Sequence, residues 1–226
     1  MINAIMHLDG RFKTNASSLS ERRLLCTSPD NLLHCAEVAG QKQMKGFHYH
    51  VDLKSHDPTR QLPNQIEMVR HGWEEAVHLT LRLLSYAVLF EENLQINGKP
   101  LNGDTPYQPS FGKWNLQGDY ELWGECQPDD FKRIKKVATK TPLSKWVITV
   151  SSESLAEEAV AALKRNKLRQ GRFSILHFDQ ELVDEISENL NRKNTLTWIH
   201  GEASPPVMQL DFNGLWFDST YGVLDY

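Results

Sequence analysis

The distribution of hydrophobic and polar positions predicts strands in the first half of the chain and strands alternating with helices in the second. Apolar side chains occupy every second position from Phe47 to Leu53, as in a strand with one buried face. A second strand is predicted over Asn64–Val69, and the turn-forming residues between the two make them a hairpin. From Glu74 to about Phe90 the apolar positions follow helical spacing in a wide stripe, which predicts a core helix.

Beyond Pro128 the pattern is typical of an α/β protein. Pro128 ends a strand, and a helix is predicted from Asp129-Asp130 to about Thr141. The β-branched run Lys145–Ser151 after it has the composition of a strand buried on both faces. The later elements are a helix, a strand, a helix and two strands, predicted over Ala156–Leu168, Arg172–Phe178, Gln180–Leu190, Thr195–His200 and Val207–Asp218, with a hinge at Gly214. We therefore predict an α/β fold with a mixed β-sheet flanked by helices and an antiparallel N-terminal hairpin.

Composition and charge narrow the range of functions only slightly. Residues 1–45 have neither helical nor strand periodicity, so we predict an N-terminal extension followed by one domain over residues 46–226. The net charge of −4 means that any nucleic-acid site would be a local patch. No apolar run approaches the roughly 18–20 residues of a membrane span. The cysteines (Cys26, Cys35 and Cys126) lack a CxxC spacing, which favours free thiols in a reducing compartment. The default expectation is a bacterial-type cytoplasmic location.

The predicted strand before Pro128 is rich in carboxylates. Side chains two residues apart on a strand share a face, so we expect one face to carry Asp119, Glu121, Trp123, Glu125 and Gln127. The opposite face then carries Tyr120, Leu122 and Cys126. Neighbouring carboxylates repel one another, and a cation or a shared proton usually offsets that cost. The segment is therefore either part of a divalent-metal site or an edge strand with solvated acids, followed by a solvated basic helix.

Four motifs, taken together, link the chain to a known family. They are Arg70-His71-Gly-Trp-Glu74, Leu81-Arg-Leu-Leu-Ser-Tyr-Ala87, Glu121-Leu-Trp-Gly-Glu125 and Arg133-Ile-Lys-Lys-Val137. In order and approximate spacing the chain resembles the YaeQ family of bacterial proteins, which has Arg-His-Pro-x-Glu, Arg-Leu-Leu-Ala, acid-Leu-Trp-Ile-Glu-x-Gly-x-Pro and Arg-Ile-Lys-Lys-Ala patterns. The resemblance runs from about Phe47 to the end of the chain.

This resemblance implies the restriction-endonuclease-like fold of the PD-(D/E)xK nucleases, whose acidic residues bind a divalent cation. Carried over by position, Glu74 matches the acid of the first core helix, and Glu121 and Glu125 match the two acids of the family's strand. These three are the implied ligands of Mg²⁺ or Mn²⁺. Gln127 stands where that superfamily usually has its catalytic lysine, so the lysine is absent from this position.

A displaced lysine could come from the helix after Pro128. With Phe131 set at zero and about 100° per residue, Lys135 lies on the flank of the apolar face and Lys136 points away from it. Lys135 is therefore the predicted catalytic lysine. Contacts to a nucleic-acid backbone are predicted from Lys132, Arg133, Lys136 and Lys140, or from the basic segment 164–172.

Two functions from different classes fit these observations. The first is a metal-dependent nuclease in which Glu74, Glu121 and Glu125 hold the ion, the ion activates water, and Lys135 assists. The second is a catalytically degenerate module that binds nucleic acid or a protein partner, which the missing lysine favours. A serine hydrolase is not supported, because the sequence contains no Gly-x-Ser-x-Gly motif.

Overall fold

A computed structural model describes residues 47–98, 100–101 and 108–226 of the chain. The predicted N-terminal extension, residues 1–45, lies outside the described residues. All of the described residues belong to the domain that the sequence predicts over residues 46–226.

The described residues form ten strands and four helices. The strands are β1 (Phe47–Ser55), β2 (Gln65–Arg70), β3 (Gln95–Ile96), β4 (Phe111–Trp114), β5 (Tyr120–Cys126), β6 (Lys145–Val150), β7 (Phe173–Phe178), β8 (Lys193–Ala203), β9 (Pro206–Phe212) and β10 (Leu215–Asp225). The helices are α1 (Ala76–Leu89), α2 (Phe131–Lys140), α3 (Glu153–Arg165) and α4 (Gln180–Glu188). None of these four helices has the length and apolar character needed to cross a membrane.

All ten strands belong to one sheet, with the order β2-β1-β8-β9-β10-β7-β6-β5-β4-β3. Strand β1 pairs with β8 in parallel, and β5, β6 and β7 are parallel to one another. The other neighbouring strands are antiparallel, including the β1–β2 hairpin. The predicted mixed sheet and its antiparallel N-terminal hairpin are therefore confirmed.

The two edge strands of this sheet approach each other through the side chain of Asn97. Its amide nitrogen donates to the carbonyl of Glu67 at 2.7 Å, and its amide oxygen accepts from the backbone N–H of Val69 at 3.2 Å. One side chain thus takes the place of backbone pairing between β3 and β2, and the sheet is nearly closed, like a barrel. The prediction of a sheet simply flanked by helices needs correction here, because the strands curl around α1.

Helix α1 is enclosed by this sheet and by α4. Every residue from Leu79 to Ala87 is buried, including three polar ones. The hydroxyl of Ser85 donates to Thr149 of β6 at 2.8 Å, and the hydroxyl of Ser187 on α4 donates to Thr80 at 2.9 Å. The wide apolar stripe that predicts a core helix is therefore explained by packing on more than one side.

Helices α2 and α3 cover the other face of β5, β6 and β7. A second apolar cluster fills this space, in which Trp123 stacks on Trp146 with 5.3 Å between ring centroids, and Trp146 lies next to Phe173 at 5.6 Å. Ile134 and Val137 of α2 are fully buried in it. The parallel part of the sheet is therefore buried on both faces, as the β-branched composition of β6 predicts.

The C-terminal part of the sheet differs from the prediction. The single hinged strand predicted over Val207–Asp218 is a hairpin of β9 and β10, and the chain turns at Asn213 and Gly214. Their φ angles of 54° and 87° are those of a two-residue turn with two left-handed positions, which Asn-Gly favours. The predicted hinge at Gly214 is therefore the second half of a tight turn.

Gly124 of β5 is a position where we expect no side chain to be tolerated. A Cβ atom there would lie 2.3–2.5 Å from three ring atoms of Phe111, the fully buried residue opposite it on β4. Gly124→Ala should therefore destabilise the fold by about 1–3 kcal/mol in urea unfolding. The same substitution should cost less in a Phe111→Leu background, since leucine lacks the clashing ring atoms. An equal loss in both backgrounds would contradict this explanation.

Candidate functional site

Strand β5, which is predicted to carry several carboxylates on one face, contains a β-bulge. Tyr120 and Leu122 lie opposite adjacent residues of β4, so Glu121 is the extra residue between them. Tyr120 and Trp123 consequently share a face, with ring centroids 4.7 Å apart. The expectation that Tyr120 lies on the face opposite Trp123 is therefore wrong, because the bulge shifts the alternation by one residue.

Glu125 is buried on the side of β5 that faces α2. Its side chain is 7% exposed, and its carboxylate oxygens accept hydrogen bonds from the indole N–H of Trp123 at 2.9 Å and from Arg133 Nη2 at 2.8 Å. Burial raises the pKa of Glu125, and the guanidinium of Arg133 opposes that shift. Both carboxylate oxygens are thus engaged, and Arg133 supplies a positive charge next to them.

Glu74 is buried on the α1 side of the sheet, in the turn between β2 and α1. Its side chain is 3% exposed, and it forms an ion pair with the equally buried Arg82 of α1. Its second carboxylate oxygen accepts from the backbone N–H of His71 at 2.8 Å. Arg82 also donates to the carbonyl of Val69 at 2.9 Å and to Asn97 Oδ1 at 3.0 Å. Glu74 therefore belongs to a buried network that connects α1, β2 and the end of β3.

Glu121 is a surface carboxylate whose side chain is 50% exposed. It lies 3.7 Å from Lys113 Nζ, and Lys113 also donates to Glu91 Oε2 at 3.1 Å. Ion pairs with this much exposure contribute about 0–1 kcal/mol, because water screens them. Glu121 is therefore the most weakly held of the three predicted metal ligands.

The three acids predicted to bind a divalent cation are not brought together. Glu74, Glu121 and Glu125 each form an ion pair with a different basic side chain, namely Arg82, Lys113 and Arg133. Among residues 47–98, 100–101 and 108–226, no three Asp, Glu, His or Cys side chains are grouped closely enough to hold a metal ion. In this arrangement the acids do not fit Mg²⁺ or Mn²⁺, and metal binding stays a prediction.

Gln127 and Cys126 stand at the end of β5. Gln127 has a φ of 44°, in the left-handed region that non-glycine residues seldom adopt, and its backbone N–H donates to the carbonyl of Thr149 at 2.8 Å. Its side-chain oxygen is buried and has no hydrogen-bond partner in the described part of the chain. Burial raises the pKa of Cys126 to about 12, so its sulfur is a neutral thiol. Neither side chain brings a charge to this end of the strand.

Helix α2 presents Arg133, rather than Lys135, to the carboxylate of Glu125. The helix is capped by Asp130, whose side chain accepts from the backbone N–H groups of Lys132 and Arg133 at 2.9 and 3.0 Å. Arg133 and Lys135 lie on opposite flanks of the apolar stripe, and a helical wheel treats both flanks alike. The position of α2 over β5 distinguishes them, and Lys135 is left exposed.

The exposed side of α2 is basic. Five of its ten residues are Lys or Arg, and none is acidic. Its exposed lysines, here named the basic surface of α2, are Lys132, Lys135, Lys136 and Lys140. Of the residues predicted to contact nucleic acid, Lys132, Lys136 and Lys140 lie in this surface, whereas the guanidinium of Arg133 is directed to Glu125.

The alternative basic segment, residues 164–172, combines exposed cations with one structural arginine. Lys164, Lys167 and Arg169 are exposed. Arg172 instead donates to the carbonyls of Thr141 and Ser144, at 2.6 and 3.0 Å for its Nη2 atom. Arg172 therefore satisfies carbonyl groups at the C-terminal end of α2 and beyond it, and a nucleic-acid contact would rest on the other cations of this segment.

Two residues near the candidate acids, Arg82 and Trp73, have no role in the sequence-based prediction. Arg82 interrupts the apolar stripe of α1, and a charged residue at a core position needs a buried partner. That interruption was the available indication of the ion pair with Glu74. Trp73 is 70% exposed in the turn before α1. It falls between periodic elements, so no pattern in the sequence marks it.

The buried and exposed ion pairs should respond differently to substitution. We expect Arg82→Met to destabilise the protein by about 3–5 kcal/mol in urea unfolding, because it leaves the Glu74 carboxylate buried and unpaired. Adding Glu74→Gln to Arg82→Met should restore part of the loss, since the buried charge is then removed. Glu121→Gln serves as the control and should change stability by no more than about 1 kcal/mol. Similar losses for Arg82→Met and Glu121→Gln would contradict the assignment.

Two solved structures have a fold similar to that of this chain. The crystal structure of the YaeQ protein from Xanthomonas axonopodis pv. citri has a TM-score of 0.61 and 18% identity, over 80% of this chain and 98% of that chain. The crystal structure of the YaeQ protein from Pseudomonas syringae has a TM-score of 0.64 and 16% identity, over 81% of this chain and 98% of that chain. At 18% and 16% identity, these two matches show similarity of fold only.

The family itself is established by sequence. No curated protein matches the chain. The family model described as YaeQ protein matches residues 44–203, which is more than half of the chain. The resemblance carried by the four sequence motifs is therefore confirmed, and this chain belongs to the YaeQ family.

Proposed function

We propose that the chain is a catalytically degenerate nucleic-acid-binding module, and that the basic surface of α2 contacts the phosphate backbone. The observation that carries this proposal is the separate pairing of Glu74, Glu121 and Glu125 with three different cations. A nuclease of the predicted type requires these carboxylates to share a metal ion. Here the charge that a metal would neutralise is met by arginine and lysine side chains.

The basic surface of α2 supports binding of a polyanion. Its lysines project from a helix without acidic residues, and the apolar stripe of the same helix is fixed against the sheet. Lysine contacts to phosphates release counterions and make affinity depend steeply on salt. The net charge of the whole chain is −4, so the positive charge of this helix is a local feature that the overall composition does not reveal.

The relation to restriction-endonuclease-like proteins is part of this proposal. The consecutive elements β5, α2, β6, α3 and β7 form a parallel unit, with α2 and α3 on one face and α1 on the other. Such a unit, with acids at the end of its first strand, is what the family resemblance implies. The nearly closed sheet and the absent lysine at Gln127 mark departures from that pattern.

A metal-dependent nuclease is the second candidate, and Glu125 is the observation in its favour. It is a buried carboxylate near the end of a parallel strand, and burial raises its pKa. A divalent cation at Glu125 would have to displace Arg133 from the carboxylate. That requirement gives the two candidates different responses to Mg²⁺ and Mn²⁺.

Binding to oligonucleotides tests the proposed function. We expect Lys132→Gln/Lys135→Gln to weaken binding of a labelled single-stranded oligonucleotide in fluorescence anisotropy. We also expect the slope of log K against log salt concentration to fall by about 0.7 for each lysine removed. The matched control is Lys54→Gln/Lys193→Gln, which removes two exposed lysines on β1 and β8. If wild type does not bind, or if both double variants bind equally, the proposal is wrong.

A metal titration distinguishes the two candidates. For a non-catalytic module we expect Mg²⁺ and Mn²⁺ to leave the melting temperature and the substrate oligonucleotide unchanged. A nuclease with a native metal site would be stabilised, by about 2.7 kcal/mol at a 100-fold excess over Kd. Stabilisation and cleavage in wild type, both lost in Glu125→Gln, would replace the module with the nuclease.

A further inference from the structure

Trp73 is exposed in the turn that connects β2 to α1. Its side chain is 70% exposed, although a tryptophan side chain is usually largely buried. Neither the fold nor the buried ion pairs of the candidate site require an indole ring at this surface position. This large exposed aromatic ring, in a turn beside the candidate acids, is therefore a candidate contact for a ligand.

The ring of Trp73 is held by two histidines. It lies parallel to the ring of His71, with 6.1 Å between centroids and 5° between planes. The ring of His78 meets it edge-on at 5.9 Å and 81°. His78 is fixed in turn, because its Nδ1 accepts the backbone N–H of Glu75 at 3.2 Å at the start of α1. The indole is thus oriented before any ligand arrives.

The turn that carries Trp73 is anchored by Glu74. The Glu74 carboxylate accepts the backbone N–H of His71 at 2.8 Å, and the backbone N–H of Glu74 donates to the carbonyl of His71 at 3.0 Å. Arg70 Nε donates to the carbonyl of Glu74 at 2.7 Å. Since Glu74 is itself paired with buried Arg82, the exposed indole projects from a rigid support.

The charges near this turn affect a phosphate group and a nucleic-acid base differently. Burial lowers the pKa of His78, while the carboxylates of Glu74, Glu75 and Asp129 act on it in the opposite sense. These carboxylates disfavour a phosphate directly over Trp73, but they do not disfavour the neutral face of a base. Asp129 precedes α2 by two residues, and its effect on His78 indicates that the N-terminal end of α2 lies on the same side of the molecule as this turn.

We infer that Trp73 is a stacking platform for an unpaired base of a single-stranded nucleic acid whose phosphates lie along the basic surface of α2. This inference rests on the proposed function and adds the class of nucleic acid. Stacking on an exposed aromatic ring requires a free base face, which a continuous duplex does not offer. Such stacking is tolerant of sequence, because every base has a π-face.

Fluorescence anisotropy with the full chain tests the inference, using single-stranded DNA and RNA of about 15 nucleotides and the corresponding DNA duplex. We expect Trp73→Ala to weaken single-strand binding by about 5- to 100-fold with an unchanged salt slope. Trp73→Phe should retain most of the affinity, since phenylalanine also stacks. The control is Trp216→Ala, because Trp216 is 59% exposed on β10 and should not contribute. A melting curve checks that each variant is folded.

The outcomes separate this inference from the proposed function. If wild type binds the single strand but Trp73→Ala binds as tightly as Trp216→Ala, the stacking role is overturned and the binding module stands. Equal binding of duplex and single strand by wild type would also overturn it. If wild type binds no nucleic acid at all, both proposals fail together, and a protein partner becomes the explanation for the exposed indole.

Discussion

The structure depends on one buried guanidinium, that of Arg82. It is 3% exposed in the middle of the enclosed helix α1, and it contacts the Glu74 carboxylate, the Val69 carbonyl and the Asn97 side chain. Removing such a charge from water costs several kcal/mol unless its partners are in place. Those partners come from the turn before α1, from β2 and from the end of β3. The position of α1 and the closure of the sheet therefore depend on the same side chain.

The same network gives Glu74 a structural role. The family resemblance predicts a metal ligand at this position, whereas the contacts of Glu74 are those of a structural carboxylate that fixes a turn. Glu125 has a comparable role in β5, because it joins this strand to α2 through Arg133. Glu74 and Glu125 therefore contribute to the stability of the fold, because each buried carboxylate has a cationic partner that would be costly to remove.

Periodicity in the sequence was sufficient to predict most elements, the mixed sheet and the core helix, because burial patterns are local. It was insufficient wherever a neighbouring strand or helix decides the outcome. The bulge at Glu121 depends on pairing with β4, and the choice between Arg133 and Lys135 depends on how α2 lies over β5. The turn at Asn213 and Gly214 is a different case, since Asn-Gly is a known hairpin signal and is sufficient to predict a tight turn rather than a hinge. Asn97 could not be predicted, because its partners lie about 30 residues away.

The strand order has a consequence for how the protein is made. Strand β1 pairs in parallel with β8, so that His50 lies beside Lys193, and β8 to β10 connect the N-terminal hairpin to β7. During synthesis, the β1–β2 hairpin cannot be joined to strands β3 to β7 in one sheet until β8, β9 and β10 have been made. Pairing over such sequence separation is slow, and unpaired strand edges are prone to aggregation. The nascent chain should therefore depend on chaperones until strands β8 to β10 have left the ribosome.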